Sequence, residues 1–482
     1  MTFPRPSPLA PLRRLLRTAL PFADVGTPEL PLSRLLRLSL FQVSVGMAVV
    51  LIHGTVNRVM VVELGLPTAL VAVLIALPLI FAPLRALIGF SSDQHRSAIG
   101  WRRVPYIWIG TLLQFGGFAL MPFGLLVLGQ NTPASATVGK LGLGFAFLLV
   151  GAGLHTVQTA GLALATDLAP AEARPRVVAL LYAMLLVGTV VSALLFGWLL
   201  RDFSATRLIR CIHGAAVATF LLNTVGVWHQ ERRTALRPSS EAPVPSLRAA
   251  WRALDPSRRP ARLLAVLALG TAAFGMQDIL LEPYGGQVFG LSVSGTTLLT
   301  AVMAAGTLGG FVLAARLLYR GIDAHALVAL GLLCGIPAAA AIVFAGALGS
   351  PALFDAGTLA IGFAGGLFAV GTLVAAMALG GDLRNGLALG LWGAVQATAG
   401  GTAIAAGGAL RDAVGHLAAS GTLGPALSDA SAGYGMVYHV EIALLFTGLA
   451  VIGPMVRFPS NSEALLRAKA ARAAADLARH PT

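Results

Sequence analysis

The chain alternates long apolar stretches with short polar ones at a nearly constant pitch. Twelve apolar runs occupy 37–62, 67–91, 104–129, 138–166, 177–200 and 207–228, then 261–283, 293–318, 324–348, 352–381, 385–410 and 435–457. Each is near the ~20 residues that an α-helix needs to cross a bilayer core. The pattern predicts an all-α polytopic membrane protein with twelve transmembrane helices.

The longest interior polar stretch, 229–260, separates six runs from six and carries Glu231, Arg232, Arg233 and several prolines. The predicted division is a basic N-terminal segment 1–36, a six-helix half 37–228, a linker 229–260, a second half 261–458 and a tail 459–482. In the first segment Leu12, Leu15, Leu16 and Leu20 recur at helical spacing opposite Arg13, Arg14 and Arg17. A helix lying on the membrane face and a disordered basic tail both suit that stretch. No apolar core with a small-residue cleavage site follows the arginines, so a cleaved signal peptide is not expected. The Ala/Leu/Arg-rich tail favours helix.

Composition agrees with the pattern. Charged residues make up 11% and apolar residues 56%, with mean hydropathy +0.81, whereas a soluble chain is about 25% charged. A net charge of +14 would suggest nucleic acid in a soluble protein; here its distribution sets orientation instead. With the N-terminus inside, all but six of the 34 lysines and arginines fall on cytoplasmic segments. The six are Arg58, Lys140, Arg201, Arg207, Arg210 and Arg411. By the positive-inside rule both termini are cytoplasmic.

The halves echo one another. Gly46-Met47 matches Gly275-Met276, Gly65-Leu66 matches Gly290-Leu291, and Asp167 matches Asp382, in the same order. Parallel repeats about an axis along the membrane normal are one known plan for transporters. Glycines cluster at Gly306/Gly309/Gly310, Gly362/Gly365/Gly366, Gly400/Gly401 and Gly407/Gly408; close helix packing explains them, and grooves for flat ligands are also permitted.

Ionisable groups at bilayer depth cost about 2.5–3.5 kcal/mol each by insertion scales and so need a reason. His53 and Asn57 share one face of the first run, beside Arg58, with Glu63 as that arginine's expected partner. Asp278 and Glu282 share a face of the seventh, and the Gly-Met register makes His53 and Glu282 equivalent positions. His155, Gln158 and Thr159 line one face of the fourth; Gln396 lies in the eleventh, and His439 and Glu441 near the outer end of the twelfth. Two readings follow from the residues alone: carboxylates carrying protons in a symporter, or ordinary interhelical hydrogen bonds. Cys211 and Cys334 read as buried apolar residues. No phosphate-binding loop, His-Glu-x-x-His, Cys-x-x-Cys or Gly-x-Ser-x-Gly motif is present, and no enzyme or directly bound metal is expected.

Between the second and third runs the chain reads GFSSDQHRSAIGWRRVPYIWIGTLLQFGG. Gly89 and Asp93, followed by Gly100, Arg102 and Arg103, resemble the cytoplasmic signature turn of the major facilitator superfamily, where such a turn latches the halves. The longer form, together with HTVQTAGLALATDLAP, RPRVVALLYAMLLVG and GLALGLWGAVQATAGG, resembles the bacteriochlorophyll-delivery family typified by PucC and LhaA. The resemblance implies a major facilitator fold in a photosynthetic bacterial inner membrane. It also implies a role in assembling light-harvesting antenna by loading bacteriochlorophyll, and carotenoid, onto alpha and beta antenna polypeptides. Reaction centre–antenna assembly intermediates, chlorophyll synthase and the membrane-insertion machinery are the further partners implied, with no nucleic acid. His53, His155, Gln158 and Asn57 are then the pigment-binding candidates. Chain length and the arginine-rich extension look more like the core-antenna branch than the peripheral one. The alternatives are a peripheral-antenna factor and a proton-coupled transporter using Asp278 or Glu282, of a small or pigment-precursor solute.

Overall fold

Ten helices among the described residues are long and apolar enough to cross a bilayer, against the twelve that hydropathy predicts. The computed structural model describes residues 30–81, 101–130, 133–170, 173–231 and 259–456. In chain order the helical segments are α1 (Leu32–Glu63), the shorter α2 (Thr68–Leu79), α3 (Val104–Leu128), α4 (Pro133–Leu168), α5 (Arg174–Leu199) and α6 (Ala205–Val227). The second half contributes α7 (Pro260–Gln287), α8 (Val293–Tyr319), α9 (Ala324–Leu348), α10 (Pro351–Ala419) and α11 (Ser431–Ile452).

Three elements depart from the expected runs. The seventh run is not one helix: regular turns stop at Met276 and resume at Leu281, with a turn at 277–280 between them. The twelfth begins at Ser431 rather than 435, which moves Glu441 from the outer end to mid-helix. The tenth and eleventh form one helical segment of 69 residues. A straight helix of that length would extend about 100 Å, over three times the core thickness. Its contacts show that it doubles back. Phe354 near its start meets Tyr284 at 5.2 Å between ring centroids, and Arg411 near its end lies 4.7 Å over Tyr434. Those two tyrosines are themselves stacked at 4.7 Å. The tenth and eleventh runs are therefore the two arms of α10.

Packing follows the small residues. At the α8–α10 crossing, a Cβ on Gly310 would lie 3.1 Å from the Gly366 Cα, and one on Gly366 only 2.5 Å from the Thr307 carbonyl oxygen. These glycines serve close approach, not grooves. The halves meet where α5 packs on α8 and α2 on α10, with α1 against α8.

The internal repeat is visible at the ends of α1 and α7. Gly65 and Gly290 both adopt left-handed backbone, φ +62° and +64°, a region glycine enters without a Cβ penalty. The next residue in each half turns its amide back six positions: Leu66 N–H to Met60 O and Leu291 N–H to Gly285 O, both at 3.0 Å.

Candidate functional site

A cavity of about 330 Å³ lies where α1, α7 and α10 converge, and His53, Asp278 and Gln396 supply its polar wall. Both helices that carry its ionisable groups are irregular at that depth. From Val50 to Val56, around His53, α1 winds as a π-helix, and does so again from Val59 to Glu63; such bulges recur at functional sites. Asp278 lies in the turn that interrupts α7. Broken helices are tolerated at bilayer depth where protein or a cavity covers them. Asn57 covers this one: its side-chain amide donates to the His53 carbonyl at 2.8 Å and to the freed Ile279 carbonyl at 2.7 Å. It therefore braces the site from outside the lining.

The floor is made by missing side chains. A Cβ on Gly275 would lie 3.6 Å from the Gly400 Cα, and among the described residues one on Gly365 would meet the Phe274 ring alone within 4 Å, at 3.9 Å. Phe274 and Phe368, tilted against each other at 5.6 Å, close one side. The result is a polar corner backed by small and aromatic surface.

Glu282 lies beside this cavity rather than in it. It is 2% exposed, one oxygen accepts from the Thr300 hydroxyl at 2.6 Å, and that same oxygen occupies the space a Cβ on Gly54 would need. The register equivalence of His53 and Glu282 thus gives neighbours across α1, while the carboxylate sharing the cavity with His53 is Asp278. Sequence reading missed Glu441 as a site residue. It is fully buried on α11, and neither oxygen has a hydrogen-bond partner among the described residues.

His155 and Gln158 stay together on α4, with His155 7% exposed, but neither lines this cavity among the described residues. Of the signature turn, Gly89, Asp93 and Gly100 lie outside the described residues. Arg103 is buried and donates from Nε to Asp167 at the end of α4, at 3.1 Å. The Glu231 carboxylate accepts from the backbone amides of Arg102, Arg103 and Val104 at 2.7, 3.1 and 3.0 Å. An acidic group at that end satisfies orphan amides and complements the helix dipole. The first residues of the linker therefore cap α3.

At the end of the bundle opposite the linker the halves are tied together. Arg58 pairs with Glu63, as its spacing suggests, and donates to the Leu291 carbonyl across the interface at 3.1 Å. Ala69 N–H donates to Asp412 at 2.7 Å, and Ser294 to the Gly197 carbonyl at 2.6 Å. Tyr434 holds Gln287 at 2.8 Å beneath Arg411. The bonds of Arg58, Ala69 and Ser294 cross between the halves and hold that end together.

Two helix groups joined through α5/α8 and α2/α10, enclosing a polar cavity and closed at one end, define a transporter-type fold of the major facilitator kind. Solved structures agree. A bacterial homologue of the human lysosomal transporter Spinster, inward-facing and unoccupied, superposes with a TM-score of 0.65 at 17% identity, covering 89% of this chain and 98% of that one. The peptide transporter POT in complex with sulfate gives 0.63 at 14%, covering 92% and 99%.

The chain belongs to the PUCC protein family, whose model matches residues 55–459. Protein PucC of Rhodovulum sulfidophilum is 57% identical over 82% of this chain and 88% of its own length. An uncharacterized protein in the puhA-bchM intergenic region of Rhodobacter capsulatus is 52% identical over 93% and 95%. The bacteriochlorophyll synthase 44.5 kDa chain of Rhodobacter capsulatus is 31% identical over 87% and 94%.

Proposed function

We propose that this protein is an assembly factor of the photosynthetic membrane that holds bacteriochlorophyll for transfer to light-harvesting alpha and beta polypeptides. The observation that carries the reading is the cavity in which the His53 imidazole stands against glycine and aromatic surface in a PUCC-family chain. A neutral imidazole is a suitable axial ligand for a pigment magnesium, and Gly275, Gly365 and Gly400 leave flat surface beside it. When bound, the pigment supplies a planar ring and a metal with an open axial position. The chain's own contribution is to orient His53 through the π-turn, exclude water with Phe274 and Phe368, and offer Asp278 and Gln396 to polar substituents. At about 330 Å³ the space lies at the low end of the ~300–1,000 Å³ of ligand pockets, so a macrocycle centred on His53 extends beyond it. His155 and Gln158 are a second candidate pair for pigment, and carotenoid is a second cargo. The preferred client is the core antenna around the reaction centre, with reaction centre–antenna intermediates, chlorophyll synthase and the insertion machinery as neighbours.

The test is an absorption spectrum and pigment extraction of the mildly solubilised protein from its own host. Stoichiometric bacteriochlorophyll that His53→Ala removes supports the reading; a colourless protein that still co-purifies antenna polypeptides reduces it to a helix chaperone. Selective loss of the core rather than the peripheral antenna band in a deletion strain identifies the client. A second reading, proton-coupled transport, is favoured by the buried carboxylates Glu282 and Glu441 near Asp278. Wild-type antenna in a strain carrying both Asp278→Asn and Glu282→Gln would eliminate proton coupling as the basis of assembly.

A further inference from the structure

The cavity has a neighbour. A second, apolar space of about 450 Å³ lies between α2 and α10, and Val73, Leu77, Thr398, Gly401 and Thr402 line it. Leu79 and Ala397 line both spaces, and the adjacent glycines divide between them, Gly400 facing the inner cavity and Gly401 the outer slot. The partition is thus thin: a Cβ on Gly401 would lie 3.1 Å from the Cβ of Leu79. Across it, one side chain of α2 faces alanine and glycine on α10.

The slot is built to be apolar and open to the bilayer. Val73 is 49% exposed on a helix that hydropathy places in lipid. Thr402 turns its hydroxyl back to the Thr398 carbonyl at 2.8 Å and the Ala399 carbonyl at 3.0 Å, so its methyl is left for the wall. On the opposite side α2 changes from α-helix to a 3₁₀ segment at Leu77, beside the partition.

We propose that this slot is a lateral portal through which the single hydrocarbon tail of a membrane amphiphile enters, Leu79 being the gate and the His53–Asp278–Gln396 cavity taking the polar head. The polar and apolar spaces are contiguous and differ in chemistry along one line, which is the form of a head-and-tail ligand. The occupant is a tetrapyrrole esterified with one isoprenoid tail; this choice rests on the pigment reading above. The slot has the width of one tail, and the competition below decides between a tetrapyrrole ester and a phospholipid chain.

The test uses the full-length protein in phospholipid nanodiscs with a diazirine-bearing geranylgeraniol as photoprobe, followed by peptide mapping. Adducts are expected at Val73, Leu77, Thr398 and Thr402. Excess tailed bacteriochlorophyll should reduce them at least tenfold, and excess tail-less bacteriochlorophyllide or phosphatidylglycerol should leave them unchanged. Gly401→Trp fills the slot, and Thr398→Trp does the same from an exposed position that leaves the α2–α10 contact intact; both should lose the adducts. Absence of slot adducts, equal competition by phosphatidylglycerol, or undiminished adducts in a folded Thr398→Trp protein would each overturn the portal. Pigment-competed adducts together with normal antenna in a Thr398→Trp strain would uphold the portal and overturn the assembly reading instead.

Discussion

At the scale of single residues, two positions do work that their neighbours in sequence do not announce. Gly54 is empty space reserved for the Glu282 carboxylate. Gly54→Val forces Glu282 off Thr300 and overpacks the interface between halves, which costs typically 1–3 kcal/mol; a fluorescence-detected melt of the purified protein should shift downward by several degrees. Glu231 caps α3 through three amides. Glu231→Ala removes the cap at a cost of about 1 kcal/mol, whereas Glu231→Gln keeps an acceptor and should lose less, so the order of the two melting temperatures checks the role. Neither residue was legible as a site. Glu231 reads as one more charge in a linker because its partners lie 127 to 129 positions away. Arg58 with Glu63 was legible because five residues of helix bring them together.

At the scale of elements, hydropathy located nearly every helix and misjudged how some are made. Runs eight and nine match α8 and α9 within a residue, since apolar length alone defines them. The break in α7 was not legible: AFGMQDILLEP is apolar enough to continue, and the turn persists because Asn57, from the other half, accepts the task of satisfying Ile279. Glu441 was misplaced because a helix start read four residues late moves a mid-membrane carboxylate to the surface. Of the groups singled out for their cost of burial, His53 and Asp278 line the cavity, while Glu282 lies beside it and His155 away from it. The α8–α10 crossing gives a prediction of its own. Gly366→Leu places side-chain atoms where the Thr307 carbonyl lies and should abolish accumulation of folded protein, read as loss of the monodisperse peak in size-exclusion chromatography. Gly393, with nothing within 4 Å among the described residues, should accept leucine without that loss.

At the scale of the whole molecule, the bonds of Arg58, Asp412 and Ser294 shut the end opposite the linker. Positive-inside counting assigns that end to the outside. A single cysteine at Gln396, with Cys211 and Cys334 replaced by serine, should resist a membrane-impermeant maleimide applied to the outer face. Asp412→Ala, which frees the Ala69 amide, should raise labelling several-fold. Labelling of the unaltered background from outside at the rate of a surface cysteine would contradict the closed end or the orientation.

The Asn57 brace also carries an evolutionary consequence. An amide on one repeat and an interruption on the other fit one another: an unbroken seventh helix would leave that amide only the His53 carbonyl of its own helix, and a broken one without it would strand the Ile279 carbonyl in the protein interior. Neither half can drift alone at this point. The two parts work as a pair, and relatives that lose one should be found to have lost the other.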